Sequence, residues 1–253
     1  MADEVLTEVR DRVLLITLNR PDARNAVNRA LADQLAAALE RLDRDDAVSV
    51  GVLTGEGRGF CAGMDLKAFL TDGMPTVRGR GFAGITEYAC EKPLIAAIEG
   101  FALAGGLEIA LSCDLLVAAS GARLGIPETG VGLFAAGGAL LRLPRRVPYG
   151  IAMELALTAD PITAEQAGDW GLVNRVTEPG QAVDVALDLA ARIARNAPLA
   201  LAASKRALLH TQGQTEAEFW SAQRELMTVF DTADAREGAT AFAEKRAPNW
   251  QGR

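Results

Sequence analysis

Histidine is almost absent from this chain: His210 is the only one in 253 residues. One imidazole cannot build a His-rich metal site, and His-dependent nucleophile triads have little to draw on. Cysteine is scarce as well. Cys61, Cys90 and Cys113 are odd in number and widely spaced, so neither a disulfide framework nor a paired-thiol motif is expected. Lysine occurs only at Lys67, Lys92, Lys205 and Lys245, and 26 basic residues face 33 acidic ones for a net charge of −7. That balance argues against a nucleic-acid surface and against an anionic membrane surface, but not against an anionic ligand held by a few local cations. Long apolar runs are missing too. The stretch around Leu94–Ile98 is far shorter than a membrane span, and Met1-Ala2-Asp3-Glu4 has no basic segment leading into an apolar one. A reduced, cytoplasmic setting is the expectation.

What is present is ample apolar material, 49% of the residues against 23% charged, enough for one large domain or a core with a smaller appendage. The start reads as strands over Val5–Arg10 and Arg12–Leu18, closed by the turn Asn19-Arg20-Pro21-Asp22. Asn28 can cap a helix in which Leu31, Leu35, Leu39 and Leu42 form one apolar stripe. Val48–Thr54, Leu94–Glu99, Leu115–Ala119 and Ala122–Gly125 read as further strands, with helices opening at Asp65 and at Gly105-Gly106. Thr71 to Gly84, with four glycines and Pro75, reads as a loop or a mobile helix. From Tyr149 the chain is mostly helical, interrupted by a strand at Val173–Val176. The alternation predicts an α/β core over residues 1–196 and a C-terminal helical region over 197–253.

Two acids stand out. Glu108 lies in a helix that is apolar all round, between Leu107 and Ile109-Ala110-Leu111. A buried carboxylate is costly unless paired or hydrogen-bonded, so Glu108 is either a working acid or a helix N-terminal acid satisfied by the dipole and nearby N–H groups. Glu128 follows Pro127 in a glycine-rich apolar stretch and could, alone, be an ordinary acid at a helix start. Together they form a natural acid–base set, because burial and mutual repulsion push one pKa up. The turns at Ala62-Gly63 and Gly105-Gly106 can expose backbone N–H groups toward a developing oxyanion. Such a set suits chemistry through a thioester enolate.

Ordered motifs extend this reading. Asn19-Arg20-Pro21 with Asn25-Ala26, Phe60-Cys61-Ala62-Gly63-Met64-Asp65-Leu66, Lys92-Pro93-Leu94-Ile95-Ala96-Ala97, Gly100 to Asp114, Pro127-Glu128, Gly171-Leu172-Val173-Asn174 and Phe242 to Arg246 succeed one another along the chain. Over nearly its whole length the sequence resembles the enoyl-CoA hydratase/isomerase (crotonase) superfamily, and within it the enoyl-CoA hydratases. The resemblance implies a spiral of ββα turns, a trimer or a dimer of trimers, and an acyl-coenzyme A thioester as substrate. It implies an oxyanion hole from the N–H groups of Ala62 and Gly105, and reversible syn addition of water to a trans-2-enoyl-CoA by Glu108 and Glu128. Arg24 and Ala26 then lie near the nucleotide end of CoA, Asp65 and Leu66 line the approach, and Phe242 and Lys245 reach CoA from a C-terminal helix. No metal or redox cofactor is implied, and Lys67, Lys92 and Lys245 gather scarce positive charge near the ligand.

The resemblance is limited in three places, one of them Gly73 to Gly84, which falls where the family's acyl-binding segment varies most and leaves the length and branching of the acyl group open. Ala104 stands where a third glycine is frequent, and the interval from Glu128 to Gly137-Gly138 is one residue short and lacks a proline before the glycine pair. A carnitinyl-CoA dehydratase-like hydro-lyase is the nearest alternative, resembled by Gly81-Phe82-Ala83-Gly84 and the closing Ala241–Arg253 stretch. An enoyl-CoA isomerase and a non-catalytic CoA- or RNA-binding module are more distant ones.

Overall fold

A computed structural model describes residues 3–210 and 215–253. In chain order its elements are β1 (Val5–Arg10), β2 (Val13–Leu18), α1 (Arg29–Arg44), β3 (Val50–Gly55), α2 (Leu66–Asp72), β4 (Thr76–Val77), β5 (Gly81–Phe82), β6 (Leu94–Ile98), β7 (Phe101–Leu103), α3 (Gly105–Leu111), β8 (Leu115–Ala119) and β9 (Arg123–Gly125). There follow α4 (Ala139–Arg142), α5 (Tyr149–Thr158), β10 (Ile162–Thr163), α6 (Ala164–Asp169), β11 (Arg175–Thr177), α7 (Ala182–Ala194), α8 (Pro198–His210), α9 (Glu216–Leu226) and α10 (Ala233–Glu244).

The larger sheet runs β1-β2-β3-β6-β8-β11 and is parallel except for the β1–β2 hairpin. Strands buried on both faces explain their near-continuous apolar sequences. Alternation divides those residues between two cores. Val13, Leu15, Val50, Val52, Ile95 and Val117 face the Ala182, Ala186 and Ala190 stripe of α7. Leu14, Ile16, Leu53, Ala96 and Leu116 face the other way, toward the Leu31, Leu35, Leu39 and Leu42 stripe of α1. That helix begins where Asn28 Oδ1 accepts the Leu31 N–H at 2.8 Å.

A second, smaller sheet runs β10-β9-β7, with β7 and β9 parallel. Single parallel bridges at Cys61–Ala102 and Val27–Met64 continue that row through two more turns of the chain. Successive turns of the spiral therefore lie side by side, each passing from the large sheet into a short extended segment. For two of these segments, at Cys61–Met64 and β7, a helix follows within two residues.

Three features differ from the sequence expectations. Residues 71–84 are neither loop nor mobile helix: α2 closes at Gly73 (φ +72°), and β4 and β5 pair with Thr76 opposite Phe82. The hairpin forms because Phe82 is buried against the core. Strand β7 is three residues long, too short for alternation to register before the Gly105-Gly106 turn. The strand expected at Val173–Val176 lies slightly later, at Arg175–Thr177, because the Asn174 side chain accepts the Leu116 N–H at 2.8 Å and sets its entry beside β8.

Helices α8 to α10 pack chiefly on one another. Lys205 anchors them to the core, donating to Asp114 Oδ2 at 2.7 Å and to the Lys92 carbonyl at 2.9 Å. Among the described residues no helix is long and apolar enough to cross a membrane.

Candidate active site

The turn after β2 builds one wall. Buried Asn25 ties it to the loop after β3, donating to the carbonyls of Gly59 at 2.9 Å and Glu56 at 3.0 Å while accepting the Arg20 N–H at 2.9 Å. Arg20 pairs with Asp65 at 3.0 Å and also donates to the Ala26 carbonyl. Asp65 caps α2, accepting from Lys67 and Ala68 at 3.1 Å each. Burial raises the Asp65 pKa, but the Ala68 N–H and Arg20 outweigh it and leave the carboxyl below its usual range.

In this wall the N–H expected at the oxyanion site needs correcting. Ala62 donates its N–H to the Arg24 carbonyl at 3.1 Å, so that donor is already committed. Two residues on, the chain pairs with Val27 through Val27 N–H to Gly63 O at 2.8 Å and Asp65 N–H to Val27 O at 2.9 Å. Between those bonds the Met64 N–H has no partner among the described residues. The sequence reading passed over Met64 because an apolar side chain hides the fact that its backbone is the available group. Cys61, at the same turn, is buried with its thiol pushed up to about 12 by desolvation, so it is no nucleophile.

The second wall is the start of α3. Ala104 adopts φ +51° and ψ −130°. It donates to Gly125 O at 2.9 Å, while its carbonyl accepts from Leu107 at 2.9 Å and Glu108 at 3.2 Å. Gly105 supplies the first N–H of the helix, also without a partner among the described residues. The two walls touch: a Cβ placed on Gly63 would lie 3.1 Å from the Gly105 nitrogen and 2.9 Å from the Ala104 methyl. On its other side Gly105 abuts the Phe82 ring, so close that a Cβ there would lie 2.5 Å from the ring.

One turn into α3, Glu108 is 4% exposed. Its acceptors are not satisfied by its own helix. Oε1 accepts the Ala139 N–H at 3.2 Å, and the Gly137 N–H close by also favours the charged form. Burial raises the Glu108 pKa, while these N–H groups and the Arg142 guanidinium oppose the rise. The Gly137-Gly138 pair is what lets this cap come so close, since a Cβ on Gly137 would sit 2.5 Å from Oε2. Arg142 binds the Thr86 carbonyl at 2.6 Å and the Gly137 carbonyl at 3.3 Å, holding the cap in place. Gly137, Ala139 and Arg142 went unrecognised in the sequence, where only the altered spacing before the glycine pair marked the segment.

Glu128 lies in a short 3-10 turn, Pro127–Val131, just after β9. Its Oε2 is buried without a partner in the described structure. Burial, with a smaller contribution from the Glu108 charge, lifts its pKa from 4.5 to about 7. The two glutamates thus interact, one held by the N–H of a distant turn and the other touched only by its own backbone N–H, with Oε2 unpartnered. Burial raises both carboxyls, and Glu128 the more, so Glu128 keeps its proton to higher pH.

The remaining expected residues are more scattered. Arg24 caps the Pro21–Ala23 turn in the left-handed region at φ +54°, with Ala26 two residues later. Leu66 is exposed at the start of α2. Phe242, 88% exposed, and Lys245 sit at the end of α10. The expected gathering of lysines at the ligand is corrected at one position: Lys92 donates to the Asp45 carbonyl at 2.7 Å and is half-buried, a structural lysine whose pKa is lowered by desolvation. A surface groove between Arg10–Val13 and Leu187–Arg195 contains none of the site groups. Among the described residues no cluster of three or more His, Cys, Asp or Glu side chains could hold a metal ion.

Comparison with known proteins agrees with this geometry. The chain is 41% identical to the 2,3-dehydroadipyl-CoA hydratase of Escherichia coli K12 over 99% of both chains. It is 38% identical to a carnitinyl-CoA dehydratase of Proteus mirabilis over the full length of both. A crystal structure of enoyl-CoA hydratase from Mycobacterium tuberculosis H37Rv superposes with a TM-score of 0.97 at 53% identity, covering both chains completely. The family model described as enoyl-CoA hydratase/isomerase matches residues 8–253. The chain belongs to the enoyl-CoA hydratase/isomerase family.

Proposed function

We propose that the protein is an enoyl-CoA hydratase adding water reversibly to a trans-2-enoyl-CoA. One observation carries the reading: a capped glutamate, and a second whose buried Oε2 has no partner, share a site with two unpartnered backbone N–H groups. The Met64 and Gly105 N–H groups receive the thioester oxygen and stabilise the charge that develops on it. Glu108, ionised, takes a proton from water as its oxygen attacks Cβ, and Glu128, protonated, delivers a proton to Cα. Dehydration reverses both transfers. The backbone donors and the acids suffice for this scheme, and it calls on no metal or redox cofactor.

On this proposal Arg24 and Ala26 meet the nucleotide end of CoA, and Asp65 and Leu66 line its approach. In this reading Phe242 and Lys245 reach the CoA of a neighbouring copy, which gives exposed Phe242 a ligand to cover. A homotrimer or a dimer of trimers also accounts for large apolar side chains exposed at Phe134, Tyr149, Leu157 and Phe230. A cytoplasmic setting suits three reduced, buried cysteines.

The experiment is a turnover screen that follows loss of enoyl absorbance with crotonyl-CoA and with medium, long and branched 2-enoyl-CoAs. Inactivity on all of them sinks the proposal. A second reading, a carnitinyl-CoA dehydratase-like hydro-lyase, is favoured by the 38% identity to that enzyme and uses the same acids. Product analysis with carnitinyl-CoA beside the enoyl-CoAs separates the two.

A further inference from the structure

Ala104 is the least comfortable residue at the site. At φ +51° and ψ −130° it occupies backbone space in which glycine is at ease and a Cβ is strained. Yet it carries a methyl group, and that methyl is pressed against the Gly63 turn, 2.9 Å from where a Cβ on Gly63 would sit. Gly63 has no room for a side chain of its own there and is itself at φ +98°.

The position of Ala104 in the hydrogen-bond pattern is equally specific. Its N–H reaches Gly125, three residues before Glu128, at 2.9 Å. Its carbonyl receives the Glu108 N–H at 3.2 Å. Its own peptide leads directly into the Gly105 N–H, and its methyl touches the turn that presents the Met64 N–H. One residue therefore joins the elements carrying both donors and both acids.

We infer that Ala104 is a positioning residue whose methyl wedges the Met64 turn against Gly105, so that strain stored in its backbone fixes the separation of the two oxyanion donors. Strain persists at a site only where its surroundings hold it, and here they are the groups that must converge on the thioester oxygen. A glycine at this position would relax the backbone and leave the gap between the two turns free to open. The inference rests on the enoyl-thioester reading above.

The test is Ala104→Gly in the full-length protein, read in three ways. First, Tm is expected to rise by about 2–4 °C as the strained φ becomes an easy one. Second, kcat for hydration of crotonyl-CoA is expected to fall about tenfold or more while KM stays within about twofold, since the loss falls on transition-state charge. Third, bound p-dimethylaminocinnamoyl-CoA, whose absorption moves to longer wavelength as its carbonyl is polarised, is expected to show a smaller shift in the variant. A variant matching the parent in kcat and in spectral shift overturns the role of Ala104. A variant that loses activity with a lowered Tm overturns it too, because the methyl then serves packing alone. If the unaltered protein neither hydrates any enoyl-CoA nor shifts the chromophore, the hydratase reading fails, and this inference with it. A parent that shifts the chromophore beside a variant that does not is the supporting result.

Discussion

The carboxylate of Glu108 is held by the backbone N–H of Ala139, at 3.2 Å and 31 residues further along the chain. The bond joins the α3 helix to the first residue of α4, just after the Gly137-Gly138 turn, so the proposed base is oriented by an element far along the chain. It also opposes the rise in the Glu108 pKa that burial brings.

Glu108→Gln is expected to lower kcat by at least about 100-fold, the usual scale of a positioned acid or base, while CoA-thioester binding survives. The amide keeps the shape and loses the basicity. Steady-state kinetics with calorimetric titration of an unreactive acyl-CoA checks both halves, and near-normal kcat would remove Glu108 from its role.

Gly137→Ala should disturb the same bond from the other side. A methyl there falls 2.5 Å from Glu108 Oε2, nearer than atoms can sit, so the carboxylate or the turn must move. We expect kcat to drop about tenfold to a hundredfold and Tm to fall with it. Unchanged activity would show that the cap does not orient the base.

Glu128 sets a pH dependence. Its pKa of about 7 lies above the ordinary 4.5, so the folded protein holds this proton more tightly than the unfolded chain does. The stability contributed by that proton is fully present below pH 4.5 and is lost as pH rises toward 7 and beyond. Hydration kcat should likewise fall on the alkaline side as the acid loses its proton. Glu128→Gln should flatten that limb, cost at least about 100-fold in kcat, and raise Tm at pH 8 but not at pH 4. Equal melting shifts at both pH values would contradict the assignment.

Lys205→Met tests the anchor of the C-terminal helices. The Lys205–Asp114 pair is largely buried, with side-chain exposures of 11% and 25%, and removal leaves Asp114 Oδ2 with the Leu94 N–H at 2.8 Å but without its ion-pair partner. A loss of about 2 kcal/mol, or roughly 4–8 °C in Tm, is expected, together with faster proteolysis beyond residue 196. A melting point unmoved by the change would make the pair incidental.

Much of this was readable from the residues themselves. The leucine stripe of α1, the Asn28 cap and the Asp65 cap are local patterns, and local patterns survive into the structure. Glu108 and Glu128 were conspicuous because acids in apolar surroundings demand an explanation. The rest was hidden where chemistry resides in the backbone or in contacts between distant turns. Nothing in the letters Ala62 and Met64 says which N–H is spent on Arg24 and which is free; a single bridge to Val27 decides it. The bond from Ala139 to Glu108 was likewise invisible, since it depends on where a glycine pair far along the chain comes to rest.

The row of short segments through Val27, Cys61–Met64, β7 and β9 has a consequence for how this scaffold can change. Each segment bonds to the next by main-chain pairing, so the spacing of the catalytic groups is set by the pitch of a coil, like threads on a screw, whatever length of chain separates one thread from the next. The excursion from Gly73 to Cys90, with its β4–β5 hairpin and the Phe82 ring beside Gly105, can be lengthened, shortened or exchanged between threads without altering that pitch. The face that this excursion turns toward Gly105 can therefore be rewritten as a cassette while the spacing of the threads is inherited intact.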